Sequence, residues 1–389
     1  MKKYDFVIIG ANGIQGRIVT RFLWEEGYSL LLCANGTYGI EKFIQPPRSE
    51  FQFVDLRQMD KVRPIFKKHR APVLVNCAVD DFNLDVTRLA LDFGMNYIDL
   101  CSEEEMFYKQ LELDGEFKAK KIIGITGIGS TPGITNIMLR HVKDRFDTID
   151  TVHLGFAWKS NKPVFVAPFS IDAIAYEFSE PAKIFENGRY VEYQPHECTL
   201  AYNYRSIGRQ KTQYTKHIEH HSFYDFLKDK GVKNIVVLSS FPKHSRLTLH
   251  NLMSLGLMSK EPITVNGVEI RPLDFTAEVL SRIPVPEGYT EKENLFLKVF
   301  GAKNGQPLTV EMDALAGTLA GWESATCNID TGFPTAILAT MIFKGELAEH
   351  GMFSPEFVVP PLPFFKYLGE RKIWVYENGR KINGVAAKR

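Results

Sequence analysis

The chain predicts an α/β protein: a doubly wound parallel sheet, joined to a second, α+β domain with an open, mostly antiparallel sheet. Three observations carry this. An apolar run passes through a glycine-rich turn into a helix within the first 26 residues. Short apolar runs then alternate with amphipathic segments as far as Thr126. From about Asp147 that alternation gives way to strand-like runs with few helices between them. At 389 residues the chain also exceeds one ordinary core, since single cores stop growing near about 250–300 residues.

Residues 4–9 (YDFVII) are short, β-branched and almost wholly apolar, as in a central parallel strand covered on both faces. They end at Gly10-Ala11-Asn12-Gly13-Ile14-Gln15-Gly16. Residues 17–26 place apolar side chains at 18, 19, 22 and 23, a helical spacing, and Gly27 is a stop signal. Residues 28–33 (YSLLLC) read as the second strand. Between strand and helix the glycines have separate tasks. Gly10 permits the tight turn, Gly13 lets amides approach a pyrophosphate, and Gly16 lets helix and strand pack closely. The helix N-terminus adds N–H groups and partial positive charge. The spacing is GxxGxxG rather than GxGxxG, and the predicted ligand is a dinucleotide, NAD or NADP. After the second strand, Cys33-Ala34-Asn35-Gly36 offers neither a carboxylate for an unphosphorylated ribose nor an arginine for a 2′-phosphate. Asn35 suits either ribose, so both cofactors stay open.

The rhythm continues with strands at 51–55, 73–78, 97–99 and 121–126 and helices at 59–69 and 83–93. Such alternation makes a parallel sheet of Rossmann type, whose ligands gather beyond the C-terminal strand ends. That rule nominates Asp55, then Asn76, Cys77 and Ala78, then Asp99 and Ser102, and finally a second glycine-rich loop at 127–136. This loop contains Thr131, Gly133 and Asn136 and opens a helix predicted over 134–145. Two readings of it stay open: a site facing a substrate carboxylate or the nicotinamide, or a plain domain-crossing turn.

In the second domain, strands are predicted at 151–158, 189–193, 234–239, 297–301 and 308–315, and helices at 169–178 and 274–282. Basic and imidazole side chains gather between 196 and 250: His196, Arg205, Lys211, His217, His220, His221, His244 and Arg246. Arg205 and Arg246 are the candidates for clamping a substrate carboxylate through two hydrogen bonds. His217, His220 and His221 lack a third metal ligand, so no metal is predicted and a solvated polar loop is expected. Residues 334–344 have helical spacing, and 360–365 (PPLPFF) read as an extended connector.

Several partner classes are excluded. With 47 basic and 46 acidic residues the chain has no electrostatic footprint for nucleic acid or an anionic membrane. No stretch approaches the roughly 18 apolar residues of a membrane span. Five cysteines without a CxxC pair argue for a reducing, cytoplasmic setting.

GANGIQG at 10–16, VNCAVDDFN at 75–83, YIDLCSE at 97–103 and GIGSTPGITN at 127–136 resemble the saccharopine dehydrogenase-like family. That group includes saccharopine reductase, carboxynorspermidine dehydrogenase and lysine 6-dehydrogenase. Segments at 168–172 and 180–188 resemble the opening of the family's second domain, and 331–334 and 345–356 its closing segment. Those last stretches and 265–272 look closest to the lysine 6-dehydrogenase branch. The resemblance implies a nucleotide-binding domain of residues 1–130 completed by about 331–389, with 131–330 binding substrate and dimerising. It implies pyrophosphate at Gly10, Asn12, Gly13, Ile14 and Gly16, adenine near Asp55, and the nicotinamide ribose near Asn76, Cys77 and Ala78. Substrate is implied beside Asp99, Ser102 and the 129–136 loop. Asp99 and His244 are the candidates for proton transfer. The implied activity is NAD(P)-dependent hydride transfer at the C–N bond of a lysine- or saccharopine-like substrate. Alternatives are a polyamine-pathway reductase of the carboxynorspermidine type and a catalytically silent scaffold. Two positions depart from the family: Thr131 replaces an aspartate usual in saccharopine reductases, and Ala34 stands where Asp or Arg is expected.

Overall fold

A computed structural model describes residues 2–167, 169–179 and 181–384. Pro168 and Glu180, in segments that carry the resemblance, lie outside the described residues, as do 385–389. The chain divides into two compact units, one of residues 1–143, 329–372 and 383–389, the other of residues 144–328 and 373–382.

The first unit is built on seven parallel strands. Phe6–Ile9, buried at every position, lies in the middle because each of its faces is apolar and can be covered by helices. Leu30–Ala34 pairs on one side of it, and Ser49–Phe53 lies beyond. Val73–Asn76 pairs on the other side, followed by Asn96–Asp99, Ile123–Ile125 and Gly351–Phe353. The chain therefore winds outward in both directions from Phe6–Ile9. The crevice between the ends of Phe6–Ile9 and Val73–Asn76 is the switch point at which such sheets bind ligands.

Helix Ile14–Glu25 follows the first strand and lays Ile18, Val19, Phe22 and Leu23 inward. Helix Ile329–Phe343, buried on nearly all sides, packs against it. Phe22 and Phe333 meet with ring centroids 5.3 Å apart. Gly332 permits the close crossing, since a Cβ there would fall 2.4 Å from Ile18 Cγ2. The run at 360–365 is not an extended connector. Pro361–Glu370 is a helix, with Pro361 in the first turn, where a missing N–H removes no bond and the fixed φ is already helical. Its burial of Phe364, Phe365 and Leu368 supplies the driving force, about 1.5–3 kcal/mol for each such side chain.

The second unit holds a nine-stranded sheet. Most neighbours are antiparallel, as expected, but Asn234–Ser240 runs parallel to Thr148–Ser160. The runs expected at 297–301 and 308–315 are the middles of a long hairpin, Glu291–Lys303 with Gln306–Gly317. Asn304 and Gly305, both at positive φ (51° and 73°), close it as a two-residue turn matched to strand twist.

Candidate active site

The glycine turn is pressed against the loop that follows Val73–Asn76. Gly10 sits at φ +72°, and a Cβ on it would come 2.7 Å from the Cys77 carbonyl group and 2.8 Å from the Ala78 nitrogen. A Cβ on Gly16 would come 2.0 Å from the Gly10 oxygen. The Gly13 amide donates to the Gly10 carbonyl at 3.0 Å, and the Cys77 amide to the Ile9 carbonyl at 2.8 Å. Gly13 caps helix Ile14–Glu25 with no side-chain bond, so the first helical turn meets the crevice through backbone alone. A cradle that any Cβ would fill, with amides at its base, fits a diphosphate. Asn12 and Asn35 come together above it, Nδ2 of the first donating to Oδ1 of the second at 3.0 Å. Asp55 is engaged elsewhere: it caps the short turn Leu56–Gln58 and pairs with Arg57, whose guanidinium holds its carboxyl at about 2.

Beside this cradle a chain of polar side chains crosses the strand ends. Asp99 is fully buried. One of its oxygens accepts from the Gly127 amide, the Cys101 amide and the Thr126 hydroxyl at 2.9, 3.1 and 2.9 Å. The other accepts from the Gln110 amide at 2.5 Å and the Tyr97 hydroxyl at 2.8 Å. Burial raises its pKa, against these donors. Asn76 donates to Asn83 at 2.7 Å and to Tyr97 at 3.2 Å, while its own carbonyl accepts the Ala78 amide at 3.1 Å. Asn83 in turn donates to Asp80 Oδ1 at 2.8 Å, and Asp80 Oδ2 accepts from both the amide and the hydroxyl of Ser102 at 3.1 Å.

Asp80 is the residue that sequence reasoning missed. Its side chain is part-exposed at the crevice edge, and the loss of water around it, with Asp99 nearby, pushes its pKa up to about 7 against the pull of Ser102. The signal was the acidic pair Asp80-Asp81 closely following a strand end, inside a segment already singled out.

The second glycine-rich loop is tightly folded. Gly133, at φ +133°, approaches so closely that a Cβ would lie 2.1 Å from the Gly129 oxygen. Asn136 accepts the Gly133 amide at 2.8 Å and donates to buried Glu356 at 2.9 Å, so it holds the loop's shape. Thr131 accepts from Thr135 at 3.1 Å, and Thr331 of helix Ile329–Phe343 donates to Ser130 at 3.1 Å.

The remaining candidates belong to the second unit. Arg205 is paired with Asp313 at 2.9 Å and stacked over Tyr376 at 4.7 Å, so its charge is already met within the unit. Arg246 is exposed on helix Lys243–Ser254. His244, at the start of the same helix, lies 3.4 Å from the Ser160 hydroxyl, and burial lowers its pKa. The expected solvated loop at His217, His220 and His221 is instead buried. His217 bridges Glu219 at 2.9 Å and Glu177 at 3.2 Å. Burial alone would lower its pKa, but the two carboxylates overcome that and raise it to about 10. His220 accepts the Val237 amide and meets the His217 carbonyl, and burial pushes it down to about 3. Among the described residues no group of three or more His, Cys, Asp or Glu is placed to hold a metal. Among the described residues no helix is long and apolar enough to cross a membrane.

The switch-point crevice, its glycine cradle and the polar strand ends define a dinucleotide-binding protein of the Rossmann class. The profile of the saccharopine dehydrogenase NADP binding domain matches residues 6–125, and that of the saccharopine dehydrogenase C-terminal domain matches residues 129–373. The chain belongs to the saccharopine dehydrogenase family. It is 24% identical over 325 residues to a carboxynorspermidine synthase of Vibrio cholerae, covering 80% of this chain and 77% of that one. The fold is also that of glutamate-forming saccharopine dehydrogenase from Saccharomyces cerevisiae, with TM-score 0.73, 12% identity and 98% and 100% of the two chains covered. Homospermidine synthase from Legionella pneumophila, solved with NAD, matches with TM-score 0.68, 14% identity and 99% and 93% coverage.

Proposed function

We propose that the protein transfers a hydride between NAD(P) and the carbon of a C–N bond in an amino acid or a secondary amine, lysine- or saccharopine-like. The observation that carries this is the cradle formed where Gly10 meets Cys77 and Ala78, which a side chain at Gly10 or Gly16 would close. Gly10, Asn12, Gly13, Ile14 and Gly16 hold the diphosphate, Asn35 the adenosine ribose, and Cys77 and Ala78 the nicotinamide ribose. The bound nicotinamide supplies the hydride donor or acceptor. C–N oxidation needs a neutral amine, so a group at the crevice must take and return a proton. Asp80, held by Ser102 and Asn83 and titrating near neutrality, suits that task. Asp99 acts through the others, as the buried post on which Tyr97 and the 127 loop are fixed.

A carboxylated polyamine is the second substrate reading, favoured by the match to carboxynorspermidine synthase over 80% of the chain. Free thiols at all five cysteines support a reducing, cytoplasmic setting. The test follows absorbance at the nicotinamide band with NAD+ or NADP+ and lysine, saccharopine or carboxynorspermidine, and in the other direction with NADH or NADPH and the carbonyl and amine compounds that condense to each imine. A nucleotide-coupled change with at least one of them is expected. Binding of nucleotide with no turnover of any amine would replace the enzyme reading with that of a silent scaffold.

A further inference from the structure

We propose that Glu291 is a positioning residue: its carboxylate holds Thr326 in a strained backbone conformation, and through the helix that follows it keeps the glycine-rich loop at 127–136 in place for hydride transfer. This role rests on the hydride-transfer reading above and adds to it a residue of the second unit. Thr326 stands at φ +52° and ψ −134°, inside the turn 323–328. A β-branched residue seldom takes a positive φ, and this region belongs almost wholly to glycine. Thr326 is nevertheless buried, as are Cys327 and Asn328 after it. Such a conformation persists only where its surroundings over-determine it. Glu291, the buried first residue of strand Glu291–Lys303, does so. One of its oxygens accepts the Cys327 amide at 3.1 Å, and the other accepts the Tyr289 hydroxyl. Burial raises its pKa, and hydrogen bonds from Tyr289, Cys327 and Thr326 work against that. The Cys327 amide belongs to the peptide unit that ψ of Thr326 orients, so an acceptor fixed on that amide fixes the strained torsion.

The turn leads directly into helix Ile329–Phe343, whose first turns grip the loop. Thr331 donates to the Ser130 hydroxyl at 3.1 Å, and Thr335 to the Ile128 carbonyl at 2.9 Å. Gly129 lies so near that a Cβ on it would come 3.0 Å from Thr331 Cγ2. The loop follows strand Ile123–Ile125, at the strand ends where such sheets gather their ligands. Release of Thr326 to an ordinary φ would redirect the chain three residues before the helix, and Thr331 and Thr335 would lose their places on the loop. A misplacement of about 1 Å in groups that position a substrate costs about 100-fold in rate.

The test uses the full chain and two measurements: turnover with NADPH, and hydrogen–deuterium exchange of the amides at 127–136 against those of strand Phe6–Ile9. Glu291→Gln places a donor among donors. It should lower kcat by about 10- to 100-fold with the Kd for NADPH unchanged, and should speed exchange in the loop while the strand stays protected. Glu291→Asp, which keeps the charge and shortens the reach, is the milder variant and should shift both measurements the same way. Adding Thr326→Gly to Glu291→Gln should restore most of kcat and the loop protection, because glycine takes this conformation without strain. Adding Thr326→Ala should restore neither, since alanine keeps a Cβ. Unchanged kcat and loop exchange in Glu291→Gln overturn the assignment. So does equal rescue by glycine and alanine, or a loss of protection shared by strand and loop. A wild type that turns over no amine overturns the reading under Proposed function instead, and loop exchange in the same variants then decides whether Glu291 holds the loop.

Discussion

Asp80 and Asp99 lie in one hydrogen-bonded chain, yet their surroundings give them different work. Asp99 accepts five hydrogen bonds in a fully buried position, so its replacement leaves donors without an acceptor. Asp99→Asn should lower stability by about 1–3 kcal/mol, the cost of buried donors left unmet, read from chemical denaturation. Asp80→Asn should leave NADPH binding in place and lower turnover. It should also change how stability varies with pH. The unfolded chain ionises this carboxyl near about 4, while the folded chain keeps the proton to about 7. Between those values the folded state binds the extra proton, so stability falls as pH rises and levels off above the folded pKa. The wild-type Tm, taken relative to that of Asp80→Asn, should therefore drop from pH 4 to 7 and stay flat above 8. A difference independent of pH would remove Asp80 as a titrating group. Gly16 supports a steric prediction of the same scale. Gly16→Ala puts a Cβ 2.0 Å from a backbone oxygen that no rotamer relieves. It should abolish dinucleotide binding, with about 1–3 kcal/mol of strain. Gly115→Ala, with open space around it in helix Asp114–Lys120, should be neutral or slightly stabilising. Equal behaviour of the two variants would show that the cradle does not depend on close approach.

Elements were legible where one local rule governed them. Phe6–Ile9 and its glycine turn were readable because a doubly buried strand is apolar throughout and the glycines need one another at fixed spacing. Helix Asn83–Phe93 matched its predicted bounds, with Gly94 closing it at φ +64°. Helix Ile329–Phe343 starts five residues earlier than its spacing suggested, because Pro334, which looked like an opening residue, lies inside it. Its surface is buried almost all round, which erases the one-sided periodicity that marks helix ends in a sequence. The site was legible to the same extent. The glycine residues and strand-end polar groups could be named, but the bonds of Asp80 run to Ser102, 22 residues away. The histidine segment misled because its partner is remote: Glu177, on helix Ile171–Ser179, reaches His217 just ahead of helix Glu219–Leu227. That buried pairing ties the two elements. His217→Ala should cost about 3–5 kcal/mol, since it leaves two carboxylates buried without their cation, and urea unfolding would measure it. A loss below about 1 kcal/mol would mean that the carboxylates are held protonated and the pairing is weak.

At the scale of the whole molecule, the second unit carries apolar surface that its own sheet does not use. Leu247, Leu255, Ile263, Val268, Phe275, Val279 and Ile283 are all between 46% and 73% exposed, within one stretch of 37 residues. Among the described residues the short strands Ile263–Val265 and Val268–Ile270 pair only with each other, so each presents an open edge. Exposed apolar side chains in such number cost solubility in a monomer and mark association surfaces. A net charge of +1 offers little long-range repulsion to keep two copies apart. We therefore propose that two copies of this chain meet through residues 247–283 in a two-fold arrangement, where each buries the same face of the other. Sedimentation velocity at micromolar protein should give a dimer. The double variant Val268→Glu with Phe275→Glu should sediment as a monomer, because a pair of like charges replaces exposed apolar side chains on each copy and is repeated by symmetry. An unchanged circular dichroism spectrum and cooperative unfolding of that variant would show that the second unit still folds, and retained NADPH binding that the first unit, which holds the cradle, does. A monomeric wild type, or a dimer unchanged by the two glutamates, would show that this surface has another use.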